Sequence, residues 1–105
     1  MNRKTIYIAG PMTNVPGNNI EQFHKAASRL DDEGWFVVSP TDFLSAFGTN
    51  PEGKLLDACM AAERAYIPHL DAIYLLRGWQ NSKGAKAELA VALAHGLQVL
   101  VEEDE

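Results

Sequence analysis

Apolar residues fall along this chain in two patterns, and the difference between them predicts its elements. Four short runs, Thr5 to Ala9, Trp35 to Val38, Ala72 to Leu76 and Leu97 to Val101, are apolar at consecutive rather than alternate positions. That continuity marks strands buried on both faces of a parallel sheet, because helices above and below leave neither face to water. Gly10-Pro11 and Ser39-Pro40 break the chain after the first two runs, since proline lacks the N–H that a strand ladder needs.

Between the runs the spacing becomes helical. Ile20, Phe23, Ala27 and Leu30 share one stripe, which Asn18 or Asn19 opens with Glu21 and Gln22 as capping-box partners and Gly34 ends. A second helix starts after Asn50 with Pro51 at its first position and runs to about Pro68, turning Leu55, Leu56, Cys59, Met60, Tyr66 and Ile67 inward. The third runs from about Ser82 to His95, with Gly96 as its stop, and is apolar on nearly every side. This order predicts an α/β fold, a small doubly wound, flavodoxin- or Rossmann-like sheet of about four parallel strands flanked by three helices. Ligands of such sheets bind beyond the carboxyl ends of the strands, which selects the loops Gly10 to Gly17 and Arg77 to Gly84. Thr41 to Gly53 is the only long irregular stretch.

Composition narrows the partners. With 105 residues, 47% of them hydrophobic, residues 1–105 suit a single domain with a modest core. A net charge of −5 argues against a nucleic-acid polymer, whose phosphates need clustered Lys and Arg, and leaves a small molecule as the expected ligand. Cys59 is the sole cysteine, so no internal disulfide or cysteine zinc site forms; it is read as core in a reducing cytoplasm. The run Ile6 to Ala9 is too short for a signal-peptide core, and no apolar stretch reaches spanning length, so no membrane is expected. His24, His69 and His95 are too scattered for a metal site, and neither metal nor cofactor is expected. Glu102-Glu103-Asp104-Glu105 reads as a solvated tail.

Few residues remain to carry chemistry. Glu88 stands about two turns into the apolar third helix. It is either a partly solvated carboxylate favoured by the helix dipole, or a nucleophile or proton carrier facing the cleft. Ser82 and Gly84 place a hydroxyl and open backbone N–H groups at the same helix start; this is either ordinary N-capping or a site for an anion such as phosphate. At about 100° per residue, Glu63 falls inside the apolar arc of the second helix, between Met60 and Ile67. A carboxylate there is either bonded to a buried donor or held for a substrate hydroxyl. Gly10, Pro11 and Met12 can bring backbone close to a ligand, and Tyr7 offers a ring or hydroxyl. Trp79 is a packing residue or stacks on a base. Asp71 sits at the N-terminal end of its strand and is read as structural.

The segments Ile6-Tyr7-Ile8-Ala9-Gly10-Pro11-Met12-Thr13, Asp71-Ala72-Ile73-Tyr74-Leu75-Leu76-Arg77-Gly78-Trp79 and Ser82-Lys83-Gly84-Ala85 resemble the DUF4406 family, common in bacteria and their phages. That family is similar to the nucleoside 2-deoxyribosyltransferases, and the resemblance covers nearly the whole chain. It implies that Glu88 is the nucleophile that attacks the anomeric carbon of a deoxyribose and that Glu63 matches a second carboxylate contacting sugar or base. Ser82, Gly84 and Glu88 match the spacing with which 2'-deoxynucleoside 5'-monophosphate N-hydrolases hold a 5'-phosphate; the transferases have aspartate at the position of Ser82. The hydrolases also place serine and arginine in the first loop, where this chain has Pro11 and Thr13.

The expected function is therefore hydrolysis of the N-glycosidic bond of a (deoxy)nucleoside 5'-monophosphate, with Tyr7, Gly10, Pro11, Met12, Thr13, Trp79, Ser82 and Gly84 around the substrate. The alternatives are deoxyribosyl transfer between bases and nucleotide sequestration without turnover. The resemblance further implies a homodimer or larger homo-oligomer in which a neighbour completes the site.

Overall fold

The computed structural model describes residues 3–12, 15–43 and 52–102. Four strands, β1 (Thr5–Ala9), β2 (Phe36–Val38), β3 (Ala72–Leu75) and β4 (Gln98–Val101), form one parallel sheet in the order β2-β1-β3-β4. Helix α1 (Ile20–Asp32) connects β1 to β2, α2 (Gly53–Tyr66) lies between β2 and β3, and α3 (Lys83–Ala94) connects β3 to β4. Ile6, Ile8, Ala72 and Tyr74 pack with Phe23, Ala26 and Leu30 of α1. Tyr7, Ala9, Ile73 and Leu75 point the other way, into the core that Ala85 and Ala92 of α3 and Ile67 after α2 complete. The sheet is thus covered on both faces, as the consecutive apolar runs require.

Burial is graded across the sheet. The central strand β3 is buried throughout and β1 from Ile6 onward, while Phe36 in β2 and Val101 in β4 are 51% and 52% exposed. The expectation that all four strands are buried on both faces therefore holds at the centre and fails at the edges, where three helices cannot cover four strands.

Two strand starts are corrected for a shared reason. Trp35 and Leu97 lie outside β2 and β4 because their N–H groups finish the preceding helix, bonding Leu30 O and Ala92 O at 3.0 Å each. Gly34 at φ +99° and Gly96 at φ +74° make these turns, forming C-terminal caps in which the second residue past the cap returns to the helix. Leu76, expected to close β3, lies one residue past it, although its N–H still bonds Ala9 O at 2.8 Å.

Helix α1 starts where expected, with Asn19 as its N-cap residue, but the expected side-chain cap does not form. A short 3-10 turn, Pro16–Asn19, precedes it, and Asn19 at φ 59° makes no side-chain cap. Its amide instead donates to Gln22 Oε1 at 2.6 Å and to Pro11 O at 2.9 Å. Helix α2 ends at Tyr66, with Pro68 in a following 3-10 turn, and Pro51 lies outside the described residues. Its inward stripe is narrower than expected: Cys59 and Ile67 are buried, whereas Leu55, Leu56 and Tyr66 are exposed. The line Cys59, Glu63, Ile67, spaced four apart, is turned toward the sheet and α3, with Met60 half-buried beside it. Among the described residues no helix is long and apolar enough to cross a membrane.

Candidate functional site

Strand alternation places Tyr7 on the face that α2 and α3 cover. On α3 the buried line is Ala85, Glu88, Ala92; two small side chains bring the helix close to the sheet, and the carboxylate between them extends over β1. Tyr7 is fully buried and its hydroxyl donates to Glu88 Oε2 at 2.5 Å, while Glu88 is only 7% exposed. The partly solvated reading of Glu88 is thereby corrected: the carboxyl is desolvated, and a core tyrosine orients it.

Glu63 approaches the same carboxyl from α2, close enough for each to change the other's proton affinity. Burial is the largest influence on Glu88 and raises its pKa well above the ordinary carboxyl value; the Glu63 charge and hydrogen bond raise it further, and the Tyr7 bond opposes both. Burial also raises Glu63, but there the bonds from Glu88 and from Cys59 work in the opposite direction. One carboxyl proton is thus shared, held by Glu88 and offered to Glu63, since two charges this close in a dry site cannot both persist. The Cys59 thiol donates to Glu63 Oε1 over a long S···O distance of 3.6 Å, and burial pushes that thiol up to about 11. Tyr7 is raised too, by burial first and the Glu88 charge second. Both neighbours therefore remain protonated donors.

The loops at the carboxyl end of the sheet meet above this cluster. Gly10 is needed there for packing, because a Cβ on it would lie 2.7 Å from Leu76 Cβ. Pro11 faces Gly78, where an added Cβ would sit 3.4 Å from its Cγ. Met12 packs toward the α1 core, and Thr13 lies outside the described residues. Trp79 is half-buried against the core that holds Tyr7. Ser82 is the N-cap of α3, its Oγ accepting from Ala85 N at 3.1 Å; Gly84 follows it in the first turn, with only Ser82 Oγ, at 3.9 Å, near an added Cβ. Among the described residues no group of three or more His, Cys, Asp or Glu is placed to hold a metal ion.

At the opposite, N-terminal end, Asp71 accepts from Thr5 N and Thr5 Oγ1 at 2.8 and 3.0 Å, which holds its pKa below the ordinary value. It joins β1 to the entry of β3, away from the carboxyl cluster.

Two hydrogen-bonding side chains escape sequence reasoning. Cys59, read only as core, is a donor to Glu63; its position four residues before that carboxylate, on the same helical line, is the signal that points to it. Glu102, read as solvated tail, is 15% exposed in its side chain and accepts from Gln22 Nε2 and Arg77 N at 3.0 and 2.9 Å. Its place just past the carboxyl end of β4 is the available signal; residues 103–105 lie outside the described residues.

Residues 4–101 match the model of DUF4406, a domain of unknown function. No curated protein matches the chain by sequence. Among solved structures it is similar to a 2-deoxyribosyltransferase of the psychrotolerant bacterium Bacillus psychrosaccharolyticus, at 20% identity and a TM-score of 0.68, covering 96% of this chain and 77% of that one. It is also similar to a 2-desoxiribosyltransferase from Leishmania mexicana, at 26% identity and a TM-score of 0.61, covering 93% of this chain and 63% of that one. The chain thus spans less than two thirds of the second structure's length.

Proposed function

The chain belongs to the DUF4406 family, and from that premise we propose that it is an enzyme that hydrolyses the N-glycosidic bond of a deoxynucleoside 5'-monophosphate, with Glu88 as nucleophile. The observation that carries this reading is the desolvated Glu88 carboxyl, hydrogen-bonded to Tyr7 and with the Glu63 carboxyl near enough to raise its proton affinity. Glycosidases that invert keep their carboxyl groups roughly 6.5–9.5 Å apart to admit a water. Glu63 close enough to shift the proton affinity of Glu88 is the nearer arrangement, that of retaining enzymes, which favours double displacement through a covalent intermediate.

Substrate entry moves the shared proton to Glu63 and frees Glu88 as a carboxylate. Glu88 then forms a bond to the anomeric carbon as the carbon–nitrogen bond breaks, and the departing base takes the electron pair together with the proton from Glu63. Water next attacks the same carbon, its proton goes to Glu63, and Glu88 leaves as carboxylate. The pair returns to one shared proton. The Ser82 hydroxyl and the first turn of α3 at Gly84 receive the 5'-phosphate, while Gly10, Pro11 and Trp79 wall the pocket; Met12, packed on the α1 side, does not.

A second reading, deoxyribosyl transfer, is favoured by the two solved structures, both named as such transferases. In it a second base replaces water in the last step. The exposed Leu55, Leu56, Tyr66 and Leu93 suit α2 and α3 to a homodimer or larger homo-oligomer. Purified protein incubated with a panel of deoxynucleosides and their monophosphates, read for free base by chromatography, tests these readings. Free base from monophosphates alone supports hydrolysis, exchange only when a second base is added supports transfer, and tight binding without product supports sequestration.

A further inference from the structure

Glu102 lies at the carboxyl end of the sheet, on the α1 side and away from the Tyr7–Glu88–Glu63 cluster. Its N–H bonds Leu75 O at 2.8 Å, so the backbone is held as an extension of β4. Its Oε1 accepts two hydrogen bonds, from Gln22 Nε2 at 3.0 Å and from the Arg77 N–H at 2.9 Å, with Arg29 3.9 Å from Oε2. Gln22 then accepts through its own oxygen from Asn19 Nδ2, and the same Asn19 amide donates to Pro11 O. An unbroken line of hydrogen bonds thus runs from the loop after β1 to the loop after β3. The two loops also touch directly, Pro11 against Gly78.

A solvated acidic tail would not form this line. Asn19 adopts a left-handed backbone at φ 59°, which asparagine tolerates better than most residues, and makes no side-chain helix cap. Its amide is thereby left to reach Pro11 and Gln22 together. The Asn19–Gln22 link is local to the start of α1, while the links to Pro11, Glu102 and Arg77 join separate segments, so the line constrains the loops relative to one another.

We infer that Glu102 is a positioning residue of the proposed site: it pins the Arg77 end of one loop and, through Gln22 and Asn19, the Pro11 end of the other, at the separation that admits substrate. The inference rests on the catalytic reading above. Because the reacting carboxyls lie on the opposite face of the sheet, loss of the pin weakens substrate binding and leaves the chemical step alone.

The test uses the full chain with Glu102→Ala and Glu102→Gln, the second retaining an acceptor oxygen for both donors. For monophosphate hydrolysis, loss of hydrogen bonds of this kind corresponds to a KM roughly five- to tenfold higher in Glu102→Ala, with kcat unchanged and with recovery in Glu102→Gln. Amide exchange without substrate is measured in parallel, and accelerates at residues 77–81 and 10–12 in Glu102→Ala only. A lowered melting temperature with unchanged KM overturns the positioning role, as does a fall confined to kcat. Where the wild-type chain releases no base, the catalytic reading falls and exchange alone decides: acceleration in both segments supports the pin, and unchanged exchange overturns it.

Discussion

The Tyr7 hydroxyl, from the centre of β1, donates to Glu88 Oε2 of α3 across 2.5 Å inside the core. A buried carboxyl without that donor would hold its proton more tightly, since the Tyr7 bond is the larger of two influences, with the Arg64 charge, that lower its proton affinity against burial and the Glu63 charge. Tyr7→Phe is expected to cost about 1–2 kcal/mol of stability at neutral pH and to move the acid limb of the pH–activity profile upward. Denaturant titration and rates across pH check this; a profile that stays in place contradicts it.

Glu88→Gln is expected to stabilise the protein while abolishing turnover. The folded-state pKa of Glu88 is raised, so between the ordinary carboxyl range and that raised value the folded state binds more protons than the unfolded one, and stability falls as pH rises. A glutamine mimics the protonated carboxyl, accepting from Tyr7 and donating to Glu63, and escapes that loss. Its melting temperature should therefore exceed the wild type's at neutral pH, and the gain should shrink as pH falls toward 4, roughly the unfolded carboxyl value. A gain independent of pH would point to packing instead.

The central strands and the Glu63 position are legible in the sequence, because consecutive apolar residues and helical arcs are local properties. What is not legible depends on partners far along the chain. Glu63 meets Glu88 from a different helix, so a helical wheel shows a buried carboxylate and not its proton-sharing partner. Trp35 and Leu97 read as strand because they are apolar, yet their N–H groups belong to helix caps. Leu55 and Leu56 read as core because one helix cannot show how little of it the sheet reaches. Glu102 reads as tail because its acceptor role depends on Gln22 and Arg77, 80 and 25 residues away.

Two glycines separate packing from ligand approach. Gly10→Ala places a methyl 2.7 Å from Leu76 Cβ, and such overpacking is expected to cost about 1–3 kcal/mol. Gly84→Ala meets nothing closer than Ser82 Oγ at 3.9 Å and lies in a helix, so stability is expected to be kept or raised by up to about 1 kcal/mol. With phosphate seated at this helix start, Gly84→Ala should raise KM for monophosphates and not for nucleosides. Equal effects on both would place the phosphate elsewhere.

Ser82 caps α3 through an acceptor oxygen, a role that aspartate also fills. Ser82→Asp should keep the melting temperature and lose monophosphate activity by charge repulsion, while Ser82→Ala should lose about 1 kcal/mol of stability through the missing cap. Unimpaired monophosphate turnover in Ser82→Asp would remove the serine from phosphate binding.

The central claim, a covalent step at Glu88, is tested most directly by acid-quenching the protein during turnover of a deoxynucleoside monophosphate and measuring peptide masses. A deoxyribose 5-phosphate ester is expected on the peptide containing Glu88, absent from Glu88→Gln, which releases no base. Base release by Glu88→Gln at the wild-type rate, with no adduct on the wild-type peptide, would contradict it.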